Sequence, residues 1–181
     1  YHQEDIGVSF LRPGDESLTG TSSDDVVLGK LSLQYFTAGD LMFFGSYSQG
    51  HKGEGYDITS SFSESSAESP VGAETSDSFE LGMKGTFLNR RLQLNTTLFS
   101  TSYEGFQAQS TVTNAETQTL EFKLNNVGDL QTSGVEVDAV ALLTENLQVD
   151  MGLALIDAEI DEFTGADCYG LQTEAQGCVD G

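Results

Sequence analysis

The sequence is poor in positive charge. Seven Lys and Arg stand against 29 Asp and Glu, a formal charge of −22 over 181 residues. A phosphate backbone is held by a basic face, so nucleic acid is excluded as a partner. Histidine is scarcer still, with only His2 and His51. A zinc site therefore lacks its donors, even counting the two cysteines. No run approaches the roughly 18 consecutive apolar residues of a membrane-spanning helix. That excludes a spanning helix and leaves spanning strands open, because their signal is alternation rather than a continuous run. Neither an initiator Met nor a signal peptide precedes YHQED, the mark of a processed chain or of a piece of a longer one. Tryptophan is absent and prolines number two, yet hydrophobic residues make up 38% and glycines number 20. That mix is too apolar and too regularly patterned for a disordered acidic tail.

What is present is alternation of period two, the signature of strands whose side chains point to opposite faces. It is clearest from Ser76 to Gln109. Phe79, Leu81, Met83, Gly85 and Phe87 share one face; Ser78, Glu80, Gly82, Lys84 and Thr86 share the other. After the short link LNRR, Leu92, Leu94, Thr96 and Leu98 oppose Gln93, Asn95 and Thr97, which predicts an antiparallel hairpin. Alternation returns at Lys30–Phe36 and Leu41–Ser48 around the turn 37–40, and at Gly134–Leu143 and Leu147–Ile156 around the turn 144–146. Residues 1–29 read as a strand end followed by a polar loop. The stretches Gln49–Glu74, Ser110 to about Leu120, and Asp157 onward read as long polar links.

Short links thus interleave with long ones, and strands that run up and down place all the short links at one end. Outer-membrane barrels have this asymmetry. Charges at Glu80, Lys84, Glu136, Asp138 and Asp150 all fall on the second face, which suits a wet lumen and not lipid. The fold class expected is all-β: antiparallel up-and-down strands of a transmembrane barrel. The strands number about six, whereas membrane barrels start at about eight, so the barrel is incomplete within this chain. The alternative is a secreted or surface β-sandwich used for adhesion, whose strands also alternate.

No nucleophile, base and oxyanion set is visible, so an enzyme is not expected, nor a cofactor. Glu80 and Lys84 read as a solvated pair on the inner wall, and Glu136 with Asp138 as lumen polarity. Asp157, Glu159 and Asp161 sit at odd positions of a calcium loop, but Glu162 stands where an EF-hand needs Gly, so no metal site is assigned. Asn95-Thr96-Thr97 fits a glycosylation sequon inside a strand and is discounted. Tyr47, Tyr56, Tyr103 and Phe106 fall near the long-link ends of strands, where an interfacial girdle is the default. At that rim His51, Lys52 and Tyr56 are the candidate ligand-binding residues. Arg90 and Arg91 occupy a short turn, where solvation or lipid headgroups suffice. Cys168 and Cys178, ten positions apart in an acidic Gly-rich segment, read as a disulfide closing a small exposed loop, with free thiols as the alternative. A bridge implies an oxidising compartment.

The ordered set LMFFGSYSQGHKGEGYD, SDSFELGMKGTFLNRRLQLNTTLFSTSYEGFQAQ and NNVGDLQTSGVEVDAVALLTENLQVDMGLALIDAEI resembles the β-barrel region of TonB-dependent outer-membrane receptors over most of residues 30–160. Glu54 interrupts a glycine pair of the family pattern. The family's plug, its TonB box and its final strand are not matched within 1–181, so the resemblance implies one partial barrel domain. It further implies an outer-membrane location and uptake of a scarce nutrient such as an iron chelate. The expected partners are outer-membrane lipid, an extracellular small molecule and the energy-coupling TonB protein, reached through the plug. The acidic loops disfavour an anionic ligand unless cations intervene.

Overall fold

The computed structural model describes residues 1–11, 17–58, 64–113 and 120–161. Eight strands appear: β1 (His2–Phe10), β2 (Leu18–Val26), β3 (Lys30–Phe36), β4 (Leu41–Lys52), β5 (Glu74–Phe87), β6 (Leu92–Thr113), β7 (Leu120–Thr144) and β8 (Leu147–Ile160). Among the described residues one short helix, α1 (Glu64–Glu68), lies in the β4–β5 link. Strands β3 to β8 pair in chain order as one antiparallel sheet of six, and β1 with β2 forms a separate hairpin.

Register carries the alternation across the whole sheet, because directly paired residues share a face. One row runs Leu33, Gly45, Leu81, Leu98, Val135 and Leu155. Beside it run Tyr35, Phe43, Met83, Thr96, Val137 and Leu153. Rows of the other face carry the polar groups: Met42, Lys84, Asn95, Asp138 and Gly152 in one, Gln34, Phe44, Gly82, Thr97, Glu136 and Ala154 in the next. Among the described residues nothing covers the apolar face. Leu33 is 75% exposed, Leu81 62% and Leu155 59%. A soluble monomer does not present an apolar sheet face of this breadth to water, whereas hydrocarbon solvates it and leaves the backbone satisfied by the ladder.

The band slips along the sheet. On β3 to β5 the row Leu31, Tyr47 and Phe79 is still apolar, but its continuation on β6 to β8 is Ser100, Ser133 and Asp157. Strands inclined to the membrane produce this step, since a row perpendicular to tilted strands is itself tilted.

Glycines on the polar face seat aromatic rings. Phe44 pairs with Gly82, and Phe99 with Gly134. A Cβ on Gly134 would lie 2.8 Å from the Phe99 ring and 2.4 Å from the Leu155 carbonyl oxygen. The ring lies against the wall because the opposing position has no side chain. Gly134→Ala is therefore expected to cost the full-length receptor about 1–2 kcal/mol, read as a lower denaturant midpoint in detergent. An unchanged midpoint would show that ring and strand yield freely. Lys84 Nζ lies 5.5 Å from the Phe44 ring centroid, and Glu80 accepts a hydrogen bond from Ser46 (3.2 Å), so these two charged residues take separate partners.

At the short-turn end, Leu88, Asn89 and Arg90 all have positive φ (54°, 55° and 66°), and the Arg91 amide closes the turn on Leu88. Arg91 is not left to solvent alone. Its guanidinium donates to the carbonyls of Leu142 (3.1 Å) and Leu143 (2.7 Å), tying this hairpin to the end of β7. Arg90 lies 3.8 Å from Asp40.

Three expectations are corrected. Residues 1–29 hold a complete hairpin rather than a strand end and loop, with His2 to Phe10 paired against Leu18 to Val26. The expected link from Ser110 to about Leu120 is narrower, because β6 runs on to Thr113 and β7 already begins at Leu120. The link after β4 starts only at Gly53 and contains α1. About 9–11 residues suffice to cross a bilayer, so β6 and β7 continue well past the apolar band. Out there neither face meets lipid, and the period-two signal disappears.

Candidate functional site

The long-link ends build a polar lobe beyond the apolar band. It comprises the β1–β2 hairpin, the end of β4, the link with α1, and the outer halves of β6 and β7. One face of β2 carries Gly20, Ser22 and Asp24, and these meet Tyr56, Glu54 and His51 in turn. Gly20 lies under the Tyr56 ring and the Ala67 carbonyl, Ser22 donates a hydrogen bond to Glu54, and Asp24 lies 2.7 Å from His51. Side chains, rather than a backbone ladder, thus hold the hairpin to the end of β4. At the foot of β1 the Tyr1 hydroxyl donates to Asp25 (2.9 Å), and this bond, with some desolvation and the Asp5 charge, raises the phenol above its ordinary pKa.

The three candidate ligand residues separate. The His51 side chain is only 6% exposed. Asp24 accepts from its Nε2, so that nitrogen carries a hydrogen, and Nδ1 is buried on the other side of the ring. Among the described residues, His51 Nδ1 and the Tyr56 hydroxyl are the buried side-chain atoms with no hydrogen-bond partner. Such an atom ordinarily costs about 1–3 kcal/mol. Lys52, by contrast, keeps an exposed head 3.7 Å from Glu74. Cys168, Cys178 and Glu162 lie outside the described residues. Tyr47 and Phe79, with ring centroids 4.9 Å apart, stand at the upper edge of the apolar band, where a girdle belongs. Tyr103 and Phe106 meet edge-to-face at 6.3 Å beside the irregularity in β6.

A second constellation was invisible to pattern reading. Gln107 is 7% exposed, and its carboxamide nitrogen donates to the carbonyls of Gly53 (3.0 Å) and Gly72 (2.7 Å). Asn126, its partner across the ladder, donates to Gly72 (2.9 Å) and Gly105 (2.6 Å). The Gln107 amide itself donates to Glu74 (2.8 Å). Both ends of the β4–β5 link are thereby gathered onto β6 and β7, where Val127, 2% exposed, is the most buried apolar side chain among the described residues. The link and β7 enclose a polar cleft of about 370 Å³, lined by Asp57, Ser66, Ser69, Lys123 and Asn125 among others. Gly105 and Gly128, at positive φ where the register slips, are the only sequence signal for this bend.

Among the described residues no three His, Cys, Asp or Glu side chains group as a metal site, and no helix is long and apolar enough to cross a membrane. The arrangement offers a hydrogen-bonding surface at one end of a lipid-facing wall: the build of an outer-membrane β-barrel receptor. The family model for the TonB-dependent receptor-like β-barrel matches residues 3–173, and the chain belongs to that family. Its members are outer-membrane transporters rather than enzymes. The pesticin receptor of Yersinia pestis is 32% identical over 139 residues, 77% of this chain and 18% of the relative. The chain therefore spans about a fifth of the length of the relatives it matches. The ferric yersiniabactin uptake receptor FyuA from Yersinia pestis superposes with a TM-score of 0.65 at 27% identity, covering 82% of this chain and 21% of that one. The siderophore receptor PiuA from Acinetobacter baumannii shares the fold, with a TM-score of 0.65 at 18% identity over 92% of this chain and 23% of its own.

Proposed function

We propose that this chain is a section of barrel wall and outer loops from a receptor that imports a scarce nutrient, such as an iron chelate, across the outer membrane. The carrying observation is the uncovered apolar face backed by a polar one in a chain of this family. Similarity to receptors for ferric yersiniabactin and for siderophores supports an iron chelate as cargo. Capture takes place at the outer lobe. Energy reaches the barrel from TonB through a plug that these residues do not supply. Lys52 meets the ligand directly, and His51 and Tyr56 offer it a ring nitrogen and a hydroxyl if the β1–β2 hairpin parts from β4. The adhesion sandwich lacks support, because among the described residues no second sheet lies on the apolar face.

The net charge of −22 bears on the cargo. Acidic loops repel an anion and slow its arrival, the more so at low salt. Cells expressing the full-length receptor are expected to take up a net-neutral ferric trihydroxamate with an apparent affinity about tenfold better than a trianionic ferric tris-catecholate. The preference should shrink as ionic strength rises, and uptake should vanish without TonB. Preference for the trianion, with no cation requirement, would overturn the ligand assignment. TonB-independent uptake would overturn the receptor reading itself.

A further inference from the structure

The β4–β5 link is long, acidic and serine-rich, the composition of a loop that orders only on meeting a ligand. Its neck is built otherwise. Gly55 and Val71 exchange both backbone hydrogen bonds (3.0 and 2.7 Å), which closes the loop on itself. One buried carboxamide, that of Gln107, then holds a carbonyl from each side of the neck, Gly53 and Gly72. Asn126 takes Gly72 a second time and joins it to Gly105, whose positive φ of 64° brings that carbonyl within reach. Glu74, at the start of β5, receives the Gln107 amide and sits beside Lys52 at the end of β4. Farther along the loop, Asp57 accepts the Leu124 amide (3.1 Å), fixing one wall of the cleft to β7. Glycine suits this close approach, since a Cβ at position 72 would meet Asn126 Oδ1 at 3.1 Å.

We propose that Gln107 is a positioning residue: with Asn126 it clips the neck of the outer loop to the barrel wall, so that the cleft between the loop and β7 is preformed rather than assembled around a ligand. The inference rests on the reading of the chain as a receptor wall. Its physical content is entropic. A loop fixed in advance does not lose its freedom at the moment of capture, and affinity is higher by that difference. Gln107 contributes this without lining the cleft, whose walls are Asp57, Ser66, Ser69, Lys123 and their neighbours.

The test uses the full-length receptor in detergent and replaces Gln107 by Met, of similar volume but without donors. Hydrogen exchange of the amides at 53–57 and 71–74 is expected to quicken at least tenfold. Amides 79–86 of β5 should not change, which separates loss of the clip from loss of the barrel. A disulfide across the neck, from Gly55→Cys with Val71→Cys, should restore protection to Gln107→Met when oxidised and lose it again on reduction. In cells, Gln107→Met should raise the half-saturating concentration of the ferric trihydroxamate at least fivefold while leaving maximal uptake unchanged. Unaltered exchange at the neck, or failure of the oxidised disulfide to restore it, would overturn the clip. If the wild-type receptor takes up no ferric chelate, the functional reading fails while exchange still decides the clip.

Discussion

Met83→Lys is expected to destabilise the full-length receptor in lipid or detergent by about 2–4 kcal/mol, although a lysine already stands one residue away. Met83 is the middle of the five outward positions of β5, with Phe79 and Leu81 on one side and Gly85 and Phe87 on the other. A charge placed there must enter hydrocarbon or drag water with it, and its side chain has the longest way to snorkel in either direction. Lys84 avoids this cost through the alternation alone. It points to the opposite face, over the Phe44 ring, in the row that holds Asn95 and Asp138. Exchanging the two residues, Met83→Lys with Lys84→Met, keeps the composition and should cost more than the single change, since it also removes the cation from its ring. Depth supplies the control. Phe79→Lys, adjacent to Asp77 at the upper edge, should lose under about 1 kcal/mol of the charge penalty, because the head reaches the interface. The measurements are denaturant midpoints and heat-modified gel mobility for the three variants. Equal charge penalties at positions 79 and 83 would indicate a protein core behind this face and not a bilayer.

That contrast also explains which parts of the fold the sequence discloses. Within the membrane band one face must be apolar and the other wet, so β3, β4, β5, the first half of β6, the second half of β7, and β8 are legible by alternate residues. The short turns at 37–40, 88–91 and 144–146 follow from them. Above the band the constraint lapses. The segment Asn125-Asn126-Val127-Gly128-Asp129 shows no alternation, yet it is strand, held by its ladder to β6 and by Val127 beneath the outer loop. Leu18–Val26 is mainly Gly, Ser, Thr and Asp, and still pairs residue for residue with β1. The candidate site suffers from the same silence. His51 stands out in a sequence with two histidines, but nothing in its neighbours announces Asp24, which lies 27 residues earlier. Gln107 and Asn126 resemble any other carboxamides of a polar stretch. Their role depends on two glycine carbonyls brought to them by a loop closure that alternation does not describe.

Gly20→Val is the change expected to act most strongly on the lobe while sparing the wall. Gly20 is buried, and a Cβ there would lie 2.4 Å from the Ala67 carbonyl oxygen and 3.0 Å from the Tyr56 ring. The carbonyl belongs to α1 and the ring to the link before it, so the added atoms press on two points of one loop. A flexible side-chain end can move aside from such a contact, whereas a carbonyl fixed by a loop closed at Gly55 and Val71 cannot. The hairpin must therefore lift. With it go the Ser22–Glu54 hydrogen bond and the His51–Asp24 contact, because all three lie along one face of β2. Overpacking of this kind typically costs about 1–3 kcal/mol, and this site belongs at the upper end because three linked contacts separate together. Hydrogen exchange across β1 and β2 should rise about a hundredfold, the equivalent of about 2.8 kcal/mol at about 1.4 kcal/mol per factor of ten. The β5–β6 ladder should stay protected, as it shares no side chain with the seam. His51 and Tyr56 would then stand open to solvent with their unpaired atoms exposed. A hairpin as well protected in Gly20→Val as in the parent would mean that β2 is held to the lobe by something other than this seam.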